Sequence, residues 1–142
     1  MDSLRIALAQ INPSVGDINS NSQKIIQEIE RAVNLGADLI AFPELSVTGY
    51  PPEDLLLRKQ FVSENLSAVE KIVKNTPDIV SIFGYVDRDH GRYNAAAIAH
   101  RGKLISKHRK IFLPNYGVFD EKRYFDPGEK CPVGVISGVS VG

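Results

Sequence analysis

Glu44 and the basic run Lys107–Lys110 are the residues whose type and position are best suited to chemistry. Glu44 directly follows a short apolar run, Leu39–Phe42, and Pro43. Such a run reads as a buried strand, and α/β proteins collect reactive groups at the carboxyl ends of their strands. By default an isolated glutamate there is a surface acid opening a loop. Its surroundings are more specific: Pro43 fixes the backbone and removes a donor, and Thr48, Gly49, Tyr50, Pro51 and Pro52 spell a defined turn. The run "KHRK" has three readings: charges protecting an exposed edge strand, a phosphate- or nucleic-acid-binding patch, or one lysine turned inward to meet a carboxylate. Strand alternation puts Lys110 with His108 and Phe112, opposite Arg109 and Ile111, so one basic set must face the apolar layer. The sequence leaves open which.

Other reactive side chains are less promising. His90, His100 and His108 lack the i,i+4 spacing and the neighbouring cysteines of a metal site, so no metal is expected. No GxGxxG or Walker pattern offers a phosphate cradle. Cys131 is the sole thiol, and in "EKCPVG" it precedes a proline in a polar loop. It lacks the strand-end or helix-N-terminal setting that lowers a thiol pKa, and reads as incidental.

The elements that must position these groups follow from periodicity. "SLRIALAQINP" reads as a buried strand. "NSNSQKIIQEIERAVNLGAD" reads as a helix with Ile25, Ile29 and Val33 on its apolar stripe, Asn and Ser at its start and Gly36 after its end. A second strand, "ADLIAF", leads into Glu44. A second helical region is expected from about Asp54 to Asn75, with Asp54 capping its first turn and Phe61, Leu66, Val69, Ile72 and Val73 facing inward. "DRDHGR" and "HRGK" then separate three strand-like runs of an antiparallel meander, the last carrying the basic run. The segment after Lys110 is long and irregular, but Tyr116, Phe119, Tyr124 and Phe125 argue against disorder. "VGVISGVSVG" alternates like one further strand and stops, which leads us to expect an N-terminal piece of something longer.

The chain has 142 residues, enough for one domain that buries roughly two thirds of its extended surface. Seventeen basic residues balance 17 acidic ones, which argues against nucleic acid or an anionic membrane as partner. No apolar run reaches the ~18 residues of a membrane helix, and Asp2 and Arg5 interrupt any signal-peptide pattern. With a single cysteine, the expected compartment is the cytoplasm.

Three stretches together, "RIALAQINPSVGDINSN", "FPELSVTGYPPEDLL" and "KHRKIFLPNYGVFDEKRYFDPG", resemble the nitrilase (carbon–nitrogen hydrolase) superfamily. "TGYPPEDLLL" and "LPNYGVFDE" point more narrowly to its glutaminase domains attached to NAD synthetases. The resemblance covers nearly the whole chain. It implies an α/β fold, a four-layer α-β-β-α sandwich of which residues 1–142 are the N-terminal portion. It also implies a Glu-Lys-Cys triad in which Glu44 is the general base and Lys110 stabilises the tetrahedral intermediate. Tyr116 and Phe119 would lie along a glutamine pocket, and Glu121 would be a second acid orienting the lysine. The family's cysteine belongs to a later "ICED"-like stretch beyond Gly142. Glutamine is then the implied substrate, with no cofactor in this segment. ATP, magnesium and nicotinic acid adenine dinucleotide would act at a separate synthetase domain, in a homo-oligomer.

Two other readings stand beside this one. The chain could belong to a stand-alone amidase of the superfamily acting on another amide. It could also be a catalytically inactive fragment or assembly module, since the expected nucleophile is not among its residues.

Overall fold

Five strands form one sheet in chain order in the computed structural model, which describes residues 3–142: β1 (Ile6–Leu8), β2 (Leu39–Ala41), β3 (Val80–Arg88), β4 (Arg92–His100) and β5 (Lys103–Arg109). Asp2 lies outside the described residues. β1, β2 and β3 are parallel, joined by helices α1 (Ile18–Asn34) and α2 (Lys59–Lys74), whereas β3, β4 and β5 form the expected antiparallel meander. Parallel neighbours need a crossover and antiparallel ones only a tight turn, which is why the helices stop after β3.

Both helices pack on one face of the sheet. Ile25 and Ile29 of α1 and Phe61, Val69 and Ile72 of α2 join Ile40, Phe83, Tyr85, Ala95, Ala97 and Ala99 in a single core. β4 contributes the small side chains Ala95, Ala97 and Ala99 to this core. The inward stripe of α1 continues through Ala32; Val33 is exposed, because Ala32 holds the i+7 position from Ile25. Asp17, not an Asn or Ser, caps α1 by accepting a hydrogen bond from the Ser20 amide.

The region expected as one helix from Asp54 is divided. A 3-10 turn, Glu53–Leu57, ends at Arg58 in an extended conformation, and α2 begins only at Lys59. Asp54 therefore caps nothing; its carboxylate accepts the Tyr124 hydroxyl at 2.7 Å. Leu66 lies only partly inside, and Val62, Asn65 and Ala68 supply more of the buried stripe. The Asn65 side chain replaces a missing edge partner by donating to Val86 O and accepting from Val86 N.

The opposite face of the sheet is apolar yet open. β1, read as buried, leaves Leu8 80% exposed there. Over part of this face lies not one strand but a hairpin, β6 (Gly134–Ile136) and β7 (Val139–Val141), because Ser137 and Gly138 both adopt positive φ and turn the chain back. A cavity of about 1010 Å³ separates it from Ile82, Ala96 and Ile98. The described residues thus supply a helix layer and a sheet, the outer half of a four-layer sandwich.

One close passage ties the first half of the chain to the second. The backbone from Pro43 to Leu45 crosses β3 at Gly84, where an added Cβ would collide with the Leu45 amide nitrogen and come within 2.8 Å of Pro43 O. Ser46 Oγ and Val47 N both donate to Gly84 O. Gly84→Ala is expected to lower stability by about 1–3 kcal/mol through overpacking. Gly134→Ala, at a position with nothing within 4 Å, is expected to stay within about 0.5 kcal/mol of the wild type. Denaturant midpoints test this, and equal shifts at both sites would refute the close-approach argument.

Candidate active site

Glu44 leaves the sheet at the carboxyl end of β2. Phe42 N extends the pairing by donating to Ile82 O, and the chain then reverses through Leu45, a non-glycine residue at φ 48°. Left-handed backbone is costly for leucine and persists where surrounding contacts over-determine it. Here they do: Leu45, Ser46, Val47 and Thr48 are fully buried, and Gly49 N donates to Leu45 O. The turn is anchored in the core while the Glu44 side chain projects from it, about half exposed.

Lys110 comes from the far end of the sheet. It follows β5 directly, its amide donates to Asn94 O at 2.8 Å, and its carbonyl accepts from Gly128 N at 2.8 Å. Residues 110–128 therefore form a loop closed at its own neck. The loop is not disordered, in keeping with its aromatics: Phe125 enters the core and Tyr124 packs against it. Glu121 opens a 3-10 turn, Glu121–Arg123, and its side chain is 6% exposed.

These three charges meet. Lys110 Nζ donates to Glu44 Oε1 at 2.7 Å and to Glu121 Oε1 at 3.0 Å. Tyr50 OH also donates to Glu121 Oε1, at 3.4 Å, and Asn94 Nδ2 donates to Glu44 Oε1 at 2.5 Å. Glu121 Oε2 is buried and meets no donor among the described residues. Burial alone would draw the Lys110 ammonium down, but the hydrogen bonds to Glu44 and Glu121 and their charges outweigh it and hold its pKa above the ordinary value of 10.5. Burial and then the nearby charges of Glu121 and Glu44 raise the Tyr50 hydroxyl. An ammonium has three donors, so two carboxylates leave Lys110 one hydrogen to present to a third group.

The structure divides the basic run by face. Lys107 and Arg109 lie on the helix side and pair with the buried Asp87 at 2.9 and 2.7 Å, and Arg109 stacks 3.8 Å over the Tyr93 ring. Burial opposes the charge on Asp87, but hydrogen bonds from Lys107 and Arg109 prevail and keep its pKa below the usual carboxylate value. His108, on the other face, contacts Lys130 O. Lys110 thus faces away from the helices, and its partner is the carboxylate that the inward-lysine reading required.

Other candidates fall at varying distances from this point. Phe119 borders a cleft of about 340 Å³ shared with Leu45, Tyr50 and Glu121. Tyr116 does not border it: it is 72% exposed and sits edge-on to Phe119, ring centroids 5.8 Å apart. Cys131 is exposed and lines the cavity under the terminal hairpin, which neither Glu44, Lys110 nor Glu121 borders. His90, His100 and His108 lie apart, and no group of three His, Cys, Asp or Glu among the described residues is arranged to hold a metal. Asn94 went unnoticed in the sequence. Its signal was there: one amide in the alanine-rich strand "YNAAAIA", on the same strand face as Ala96 and Ile98.

Comparison with known proteins gives this arrangement a context. Residues 5–142 match the carbon-nitrogen hydrolase family. A glutamine-dependent NAD(+) synthetase of Thermotoga maritima is 46% identical over 144 residues, spanning 100% of this chain and 25% of that protein. The structure of glutamine-dependent NAD+ synthetase from Acinetobacter baumannii superposes with a TM-score of 0.92 at 45% identity, over 96% of this chain and 26% of that one. An amidase from Nesterenkonia superposes with a TM-score of 0.83 at 27% identity, over 96% of this chain and 53% of the amidase. The chain thus spans about a quarter of the length of the curated relatives it matches.

The raised pKa of Lys110 carries a signed prediction. A group whose folded pKa exceeds its unfolded value contributes stability fully below the unfolded value and loses it as pH rises through the folded one. The stability difference between wild type and Lys110→Met is therefore expected to be constant near neutrality and to shrink above pH 10.5. Denaturant unfolding from pH 7 to 12 measures it, and a difference unchanged to pH 12 would remove the ionic explanation.

Proposed function

The chain belongs to the carbon–nitrogen hydrolase family, and from that premise we propose that it is the N-terminal part of a glutamine-hydrolysing domain that supplies ammonia to an NAD synthetase. The observation that carries the reading is the ammonium of Lys110 held between Glu44 and Glu121. The sequence relatives named as glutamine-dependent NAD synthetases support the choice of amide.

In this reading Glu44 accepts the proton of a cysteine thiol, and the thiolate attacks the side-chain carbonyl carbon of glutamine. Lys110 offers its remaining hydrogen to the oxygen that becomes negative; a fixed cation in a dry site is worth several kcal/mol there. As the carbon–nitrogen bond breaks, Glu44 returns the proton to the nitrogen, which departs as ammonia. Water then cleaves the thioester to glutamate. Glu121, buried beneath Lys110, holds the ammonium in place. Phe119 and, one ring further out, Tyr116 would border the glutamine.

The nucleophile is proposed to come from chain beyond Gly142, because Cys131 lines a different cavity. Residues 1–142 alone are accordingly proposed to be inactive, and the longer protein to be a cytoplasmic homo-oligomer. ATP, magnesium and nicotinic acid adenine dinucleotide would bind its synthetase part.

In the full-length protein, Glu44→Gln is expected to lower glutamine-dependent ammonia release by about 10²–10⁴-fold. Synthesis of NAD from added ammonium should be left intact. Undiminished ammonia release by the variant would sink the proposal. The superposition on the Nesterenkonia amidase favours a second reading, a stand-alone amidase; preference for other amides and no ATP-dependent product would decide for it.

A further inference from the structure

We propose that Asn94 is a positioning residue for the base, and that it selects which oxygen of Glu44 handles the proton. This rests on the glutaminase reading above.

Asn94 lies on β4 between Tyr93 and three alanines, and it is buried. Two of its polar groups serve two different active-site residues. The side-chain Nδ2 donates to Glu44 Oε1, and the backbone carbonyl accepts the Lys110 amide at 2.8 Å. A single residue thus joins the base, delivered by β2, to the lysine, delivered by β5. Both ends would otherwise depend on separate loops.

The bonding is lopsided in a chemically useful way. Glu44 Oε1 receives both the Asn94 amide and the Lys110 ammonium, whereas Oε2 receives no donor among the described residues. A primary amide presents only hydrogens on its nitrogen, and Lys110 presents only hydrogens, so the Oε1 edge cannot accept a thiol proton without losing a bond. Oε2 has its lone pairs free. The thiol proton therefore moves to Oε2 as the thiolate forms, and passes from Oε2 to the leaving nitrogen as the carbon–nitrogen bond breaks. Rotation of the carboxylate would exchange the oxygens, and Asn94 resists it because its own backbone is tied to Lys110. The ionisable groups facing this carboxylate are Lys110 directly, and Glu121 and Tyr50 through it.

The experiment uses the full-length protein with Asn94→Ala, Asn94→Asp and Glu44→Gln, assayed for ammonia release across pH. Losing one charge-assisted hydrogen bond should lower kcat for Asn94→Ala by about ten- to a hundredfold. KM for glutamine should stay within about twofold, because Asn94 does not border the cleft shared by Tyr50, Phe119 and Glu121. Asn94→Asp keeps the shape but sets two carboxylates together, which then share a proton; the acid limb of kcat/KM should move up by about one pH unit or more. A merely structural asparagine would change KM or stability along with kcat in Asn94→Ala, whereas the limb of Asn94→Asp reads how close position 94 stands to Glu44. Should Asn94→Ala fail to fold, the limb of the isosteric variant decides. If Glu44→Gln is inactive while both Asn94 variants keep wild-type kcat and pH limb, this inference falls and the glutaminase reading survives. If Glu44→Gln is fully active, both fall.

Discussion

One ammonium between two carboxylates is the interaction on which the rest of the site depends. Without Lys110, Glu44 and Glu121 would bring like charges together, one of them buried, and without the acids a half-buried lysine would pay for its desolvation unaided. Each group makes the others affordable in that place. The three are separated in the chain by 66 and 11 residues, so only a fold that returns β5 to the end of β2 can assemble them.

The sheet meets that demand with little hardware. β3 and β4 stand between β2 and β5, and each contributes one residue at the crossing. Gly84 of β3 lets the Glu44 turn lie directly on the strand, and Asn94 of β4 bonds both the base and the lysine backbone. On the opposite face, Asp87 grips Lys107 and Arg109, so the residues flanking Lys110 hold β5 from behind while Lys110 points forward. The 110–128 loop, closed by Gly128 on Lys110, then brings Glu121 up beneath the lysine.

Much of this was legible from residue types. The strand before Glu44, both helical stripes and the meander follow from periodicity, because burying one face forces an apolar pattern of period 3.6 or 2. The misreadings share a cause: local pattern could not weigh a distant partner. Asp54 looked like a helix cap, but Tyr124, 70 residues on, claims its carboxylate. Val33 and Ala32 are both apolar, and only packing against the sheet decides that the smaller one is inside. The last run alternated like one strand, yet a Ser-Gly turn in left-handed backbone made it two.

For the site itself the division is similar. By itself the sequence determined that Glu44 ends a strand, that Lys110 opposes Arg109, and that the aromatic segment between Lys110 and Gly128 is built to be ordered. These are facts of spacing and side-chain chemistry. Only the tertiary structure decided which basic set faces the carboxylate, that Glu121 is buried while Tyr116 stands in solvent, and that Asn94 links base and lysine. Those outcomes depend on strand order and register, which bring together groups tens of residues apart, and the geometry of a hydrogen bond is set in space rather than along the chain.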